Sequence, residues 1–299
     1  MKKDKDSVSV ESSNTGEYAA FLTLSVEGAR LAVAIREKAK ETGDTLLAGA
    51  VLYVHNNVPQ ESAWGNAHRF DATKDVLAEI FPTMKNIICI MPTGVVVRAI
   101  APLVDHKLKD PAVVVMDVIG RWAISLLSGH EGGANALCVR LSNLCAAEPI
   151  ITTTTDAKRT IIVGIGCRKD ISSEAILSAV HEALEKVKAD IEDVRILASP
   201  EVKRQEKGLI EAARVLDRPL LFIPHKDINR CVVCEASEVA QNHLGLRAAA
   251  EPCALLSGRR TQLILPKMKK DGVTIALARE SCSWLEWAQE AENTEPTPP

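Results

Sequence analysis

No apolar run in the 299 residues reaches the roughly 20 that a membrane helix needs. The opening MKKDKDSVSVESSNTGEYAA lacks the apolar core of a signal peptide, so a cytoplasmic location is expected. The chain also lacks an excess of one charge: 36 basic residues face 39 acidic ones. Such a balance gives no global field to attract an anionic polymer, and nucleic acid is not expected as a partner. Aromatic residues make up only 3% of the chain, which argues against a closed aromatic sandwich around a flat ligand and for an open cleft between domains, with the glycine joins of both halves facing it. Eight cysteines are present, but Cys89, Cys138, Cys145 and Cys253 sit in apolar stretches and read as small core residues of a cytosolic chain. The single CxxC, Cys231 to Cys234, has no second pair or nearby histidine to complete a tetrahedral zinc site, so no protein-held metal is expected.

What is there is a hydrophobic composition of 46%, enough over this length for two modest cores. Short β-branched runs alternate with helical patterns: YAAFLTL, NIICIMP, AVVVMD, AISLLSG and PIITTTT in the first half, then IIVGIG, VRILAS, PLLFIP, QLILPK and VTIALAR. Mostly unbroken apolar strands between helices predict a layered α/β fold, with buried strands and helices on both faces of each sheet. In SSEAILSAVHEALEKVKAD, residues Ile176, Leu177, Val180, Ala183, Leu184 and Val187 line one helical face and read as core. Further helices are expected over 201–216 and 237–244. The polar DAKRT near 156–160 separates two domains, 18–157 and 160–280. The polar ends, 1–17 and 288–299, are expected to be disordered.

The chemistry is sought where glycines and polar residues interrupt strand-to-helix joins. In SLLSGHEGGANAL, Ser128, Gly129, His130, Gly132, Gly133 and Asn135 precede a helix expected to start near Ala134. The glycines let backbone N–H groups approach a ligand, and a helix N-terminus suits a phosphate or a carboxylate. In MPTGVVVRAIAP, Thr93 and Gly94 start a short helix with Arg98 one turn in. Arg98 either anchors a carboxylate or pairs with Asp105, Asp110 or Asp117. In TTTTDA, the hydroxyls of Thr154 and Thr155 either donate to a ligand or begin a turn before Asp156. In IIVGIGCRKD, Gly164, Gly166 and Arg168 lack the third glycine of a dinucleotide fingerprint and the Lys-Ser/Thr of a P-loop, leaving an anion-binding design. Lys203 and Lys267 read first as solvated surface, and Glu251 as a helix-start residue.

These strings are recognisable. TGVVVRAIAPLVDHKLKDPAVVVMDVIGRWAISLLSGHEGGANAL, continued by IITTTTD, resembles the amino-terminal domain of the CbiG family. IIVGIGCRKD, AEPCALL and LILPKMKKDGVTIALAR resemble its carboxy-terminal domain, which also occurs alone as CobE. Family members carry several dozen variable residues between the two, where this chain has only AKRT. The resemblance implies a cobalt-precorrin 5A hydrolase of anaerobic cobalamin biosynthesis. Water opens the ring-A lactone of a cobalt-bearing tetrapyrrole, and acetaldehyde leaves to give cobalt-precorrin 5B. Cobalt then arrives inside the substrate, and no cofactor is implied. A small-molecule substrate with many carboxylates calls for distributed donors. The reading leaves room for a homodimer and for transient contact with neighbouring pathway enzymes. A non-catalytic carrier of corrinoid intermediates is the alternative from another class.

Lactone opening needs a base for water and donors for the oxyanion. His130 is the candidate base, because imidazole changes charge near neutrality. Asp156 is expected to orient it if the two joins lie side by side, with the N–H groups of Gly132 and Gly133 receiving the oxyanion. Arg98 and Arg168 would hold peripheral carboxylates.

Overall fold

The computed structural model describes residues 18–231 and 249–281. The helix expected over 237–244 and Cys234 lie outside them. The described chain forms two sheets, each with an apolar core on both faces.

The first unit is a seven-stranded sheet in the order β3-β2-β1-β4-β5-β6-β7. Its strands are β1 (Ala19–Thr23), β2 (Val51–His55), β3 (His68–Phe70), β4 (Asn86–Ile90), β5 (Ala112–Met116), β6 (Trp122–Leu127) and β7 (Glu148–Ile150). The central strands β1, β4 and β5 are continuous apolar runs because both of their faces are covered. The covering helices are α1 (Val26–Thr42), α2 (Thr45–Ala48), α3 (Thr73–Ile80), α4 (Thr93–Ile100) and α5 (Ala134–Cys145), followed by the single turn α6 (Thr154–Ala157). Helix α1 starts where the Ser25 hydroxyl accepts the Gly28 N–H at 3.1 Å and stops at Gly43, whose φ of 78° ends the helix in a left-handed turn.

All neighbours in this sheet are parallel except β5 and β6. Only Asp117 to Arg121 join those two strands, too few residues for a crossover helix, and Gly120 at φ 70° makes the reversal. The carboxyl end of β6 therefore lies at the sheet edge opposite the carboxyl end of β4, and this sets where the joins fall.

The second unit is a five-stranded sheet in the order β10-β9-β8-β12-β11. Strands β8 (Ile161–Cys167), β9 (Val194–Pro200) and β10 (Leu220–Ile223) run parallel, while β12 (Val273–Glu280) and β11 (Thr261–Lys270) form an antiparallel hairpin on the other side of β8. Its helices are α7 (Ser173–Lys186), α8 (Lys207–Val215), α9 (His225–Arg230) and α10 (Ala250–Leu256). The expected face of α7 is inward: Ile176, Val180, Ala183 and Leu184 are buried, with Leu177 and Val187 packed beside them. The single helix expected over 201–216 is split into a 3-10 turn, Glu201–Lys203, and α8. The break lets Gly208 sit against Ile171, where an added Cβ would stand 2.0 Å from the carbonyl oxygen.

The two units are fastened by polar contacts. Asn143 on α5 donates to the Leu220 carbonyl at 2.8 Å and accepts the Phe222 N–H at 2.7 Å, which ties the helix to the edge strand β10. Arg259 pairs with Glu148 at 2.8 Å, and Arg159 with Glu192 at 3.2 Å.

Candidate anion-binding pocket

The joins of the first unit turn most of their polar groups inward. Asn135 lies at the centre: its Oδ1 accepts from the Ser125 hydroxyl at 2.7 Å, and its Nδ2 donates to Thr153 Oγ1 and Asp156 Oδ2, each at 3.0 Å. Asp156 also accepts from Thr153 and pairs with Arg159 at 3.1 Å. The 128–133 and 152–157 joins are thus side by side, but no hydrogen bond links His130, which is exposed, to Asp156. The arrangement expected of a base and its orienting carboxylate is replaced by an amide-centred clasp.

The glycines there serve packing as well. An added Cβ on Gly129 would lie 2.8 Å from the Thr153 methyl, and one on Gly132 would lie 2.3 Å from Ser128 Cβ. Gly133, at φ 88°, is the entry to α5 and meets nothing. Ser128 itself adopts φ 56°, and its buried hydroxyl has no partner among the described residues. Thr154 and Thr155 are exposed on the first turn of α6.

Thr93, Gly94 and Arg98 lie on α4, beyond the carboxyl end of β4 and so away from the 128–133 loop. The Arg98 guanidinium folds back to within 3.7 Å of where a Gly94 Cβ would be, and it forms no ion pair with Asp105, Asp110 or Asp117 among the described residues.

In the second unit Gly164 serves packing and not, as expected, ligand contact. Its Cβ would stand 1.9 Å from the Ala250 carbonyl oxygen, so glycine is what allows α10 to lie directly on β8. Gly166 does face a pocket, as does Arg168, whose N–H donates to the Gly272 carbonyl at 3.0 Å and whose side chain crosses the Asp271-Gly272 turn. This pocket, about 1250 Å³, opens at the carboxyl ends of β8 and β9. That is where open parallel sheets bind ligands.

Its walls are strongly cationic. Arg168 and Lys169 come from the end of β8, Lys203 and Lys207 from the segment after β9, and Lys267, Lys269 and Lys270 from β11. The carboxylates among the described lining residues are Asp170, Glu206, Glu251 and Asp271, so positive charge is in excess there. Arg168, Lys169, Lys207 and Lys269 enter no ion pair among the described residues. Lys203 is not surface, as its type suggested, but 7% exposed, with its ammonium 3.4 Å from Glu206. Cys167 lines the same wall, and burial pushes its thiol up to about 11, so it is protonated and inert at neutral pH. The signal for Lys203 was in the sequence: a strand end at Pro200 followed by lysine and, three residues on, a glutamate to hold it.

A second recess, about 1180 Å³, runs between the two units and takes in Trp122, Glu148, Asp156, Arg195 and Arg259. Neither Gly129 nor Gly166 borders it. Its arginines are already neutralised, Arg121 by Asp117, Arg195 by Glu280 and Arg259 by Glu148. The glycine joins of the two halves do not share a groove: the Gly129 join neighbours the start of β8, through α6, and the Gly166 join sits at its end.

Fold and pocket define a two-unit α/β protein with a cation-rich recess at the ends of parallel strands. Comparison with known proteins places it further. The family model described as Cobalamin synthesis G C-terminus matches residues 161–278, and the one described as Cobalamin synthesis G N-terminal matches residues 75–156. The chain belongs to the CbiG/CobE family. The amino-terminal match starts inside α3, so β1 to β3 lie outside both models.

A cobalt-precorrin-5A hydrolase from Priestia megaterium is 23% identical over 301 aligned positions, which take in 68% of this chain and 80% of that one. The alignment is longer than the part of this chain within it, so the relative carries residues with no counterpart here. A cobalt-precorrin-5A hydrolase from Salmonella typhimurium is 54% identical over 78 residues, 26% of this chain and 22% of the relative. The crystal structure of CobE, a protein from the cobalamin (vitamin B12) biosynthetic pathway, is 32% identical and aligns with a TM-score of 0.38, covering 41% of this chain and 91% of that one.

Proposed function

We propose that the protein hydrolyses the ring-A lactone of cobalt-precorrin 5A and releases acetaldehyde, giving cobalt-precorrin 5B. The observation that carries the reading is the pocket of the second unit, a volume of about 1250 Å³ where Arg168, Lys169, Lys207 and Lys269 enter no ion pair among the described residues. A contracted tetrapyrrole carries acetates and propionates around its rim, and each requires a separate donor. Arg168 offers a rigid fork at the pocket edge, and Lys169, Lys207 and Lys269 offer point charges at other bearings. The buried ammonium of Lys203 is placed to draw in one carboxylate or the lactone carbonyl. Cobalt enters as part of the substrate, and the reaction draws on no nucleotide. We place the protein in the cytoplasm, acting on a small molecule and on no nucleic acid.

The reading is tested by anaerobic incubation with cobalt-precorrin 5A, scored for acetaldehyde. One acetaldehyde per substrate without added nucleotide or metal is expected. A second reading, a corrinoid carrier, draws on the short junction, where the two family models meet across residues 157–160. Tight binding that leaves the substrate intact for hours would establish the carrier instead.

A further inference from the structure

The four carboxylates of the pocket are not equivalent. Asp170 and Asp271 are exposed, and Glu206 is held by Lys203. Glu251 is 7% exposed and takes part in no ion pair among the described residues, although it sits in a wall rich in cations. Taking an ionised carboxylate out of water is costly unless charge or hydrogen bonds compensate it. Here Oε1 accepts the Lys267 N–H at 3.0 Å. That N–H is available because the β11–β12 register slips between Leu265 and Met268, a bulge that frees one backbone group from the ladder. The helix carrying Glu251 is fixed in turn by its close seat on Gly164. Two irregular features of the second unit thus converge on one side chain.

We propose that Glu251 is the base that activates water in this pocket, an inference that rests on the lactone hydrolysis proposed above. The oxygen of the water bonds to the acyl carbon of the lactone while its proton passes to the Glu251 carboxylate. The acyl carbon–oxygen bond then breaks with its electron pair on the departing oxygen, which takes the proton back. One water is consumed and nothing is oxidised or reduced. The Lys267 N–H fixes one carboxylate oxygen and leaves the other for the water.

The test is Glu251→Gln in the full chain, because the amide oxygen of glutamine can still accept the Lys267 N–H. Acetaldehyde turnover should fall by roughly 10² to 10⁴, the usual worth of a general base, with KM for cobalt-precorrin 5A and the melting temperature little changed. Turnover within about threefold of wild type overturns the proposal, since that is far below the worth of a general base. So does a raised KM with kcat intact, which would make Glu251 a binding group. Should Glu251→Gln melt early, Glu251→Asp decides: it keeps a carboxylate on a shorter arm, and a base predicts turnover well above the Gln variant, while equal loss in both contradicts it. A wild-type protein that releases no acetaldehyde overturns the hydrolase reading and this assignment together, and that result is read without any variant.

Discussion

The two units use the same elements, glycine joins between apolar strands and helices, for different ends. In the first, Gly129, Gly132, Asn135, Thr153 and Asp156 close on one another, and the densest polar string in the sequence becomes a clasp beside the domain junction. In the second, Gly164 and Gly166 bring α10 down onto β8, and the polar groups that remain line an open pocket. A glycine cluster marks close backbone approach; whether the approaching group is a ligand or the protein's own chain depends on strand direction and register.

The sharpest way to break this contrast is Gly164→Ala. The new Cβ would collide with the Ala250 carbonyl, and backbone cannot yield as a side-chain tip can. We expect a loss of about 3 kcal/mol, the upper range of overpacking, measured by urea unfolding. If Gly164 served a ligand instead, stability would hold and only binding would suffer.

Next in size is the separation of chemistry between units. His130→Asn should change acetaldehyde turnover far less than Glu251→Gln, because His130 is exposed and unlinked to Asp156. A loss of roughly 10² or more on His130→Asn, the signature of acid–base catalysis, would return the base to the first unit.

Arg168→Ala should raise KM about tenfold with a smaller effect on kcat, since a contact to a peripheral carboxylate persists unchanged through the transition state. Titration of the variant with substrate, at two salt concentrations, checks this. Equal falls in kcat and kcat/KM would instead place Arg168 at the reacting centre.

Smaller still is Ser128→Ala. The hydroxyl is buried without a partner among the described residues, so stability should move by less than about 1 kcal/mol on its removal, with substrate affinity unchanged. Weakened affinity would show that the loop holds the ligand after all. At the domain junction, the Arg259 guanidinium hydrogen-bonds Glu148 and holds its carboxyl below the usual carboxylate range. A depressed carboxylate stabilises the fold above its unfolded pKa, and that contribution disappears as pH falls through the folded value. Acid should therefore loosen the junction slightly, and Arg259→Met should flatten that part of the stability profile.

Much of this was legible. The layered α/β class, the strand at 161–167, the inward face of α7 and the start of α5 at Ala134 all follow from apolar periodicity and glycine placement. Strand direction was harder to read. The five residues of DVIGR between two strands signal a hairpin, as does Asp-Gly in KKDGVT, and both reversals move residues to sheet edges that a list of joins does not reveal. Lys203 and Glu251 look in sequence like a surface lysine and a helix-start acid. The spacing of Lys203 and Glu206 hints at a held lysine, but that Lys203 and Glu251 are buried at one pocket is set by tertiary packing. Asp156 was expected to orient His130 if the two joins lay side by side; they do, but its partners are Asn135 on α5, Thr153 just before α6 and Arg159 just after it, a convergence set by tertiary contacts.

The most direct measurement of where the substrate lies uses its own metal. Crystals of the protein grown or soaked anaerobically with cobalt-precorrin 5A, or with a stable cobalt corrinoid of the same carboxylate pattern, would give an anomalous peak at the cobalt. The peak is expected in the recess between Arg168, Lys203 and Glu251, at the carboxyl ends of β8 and β9. A peak beside Trp122 in the cleft between the units, or over Ser128 and His130, would contradict the assignment of the site to the second unit.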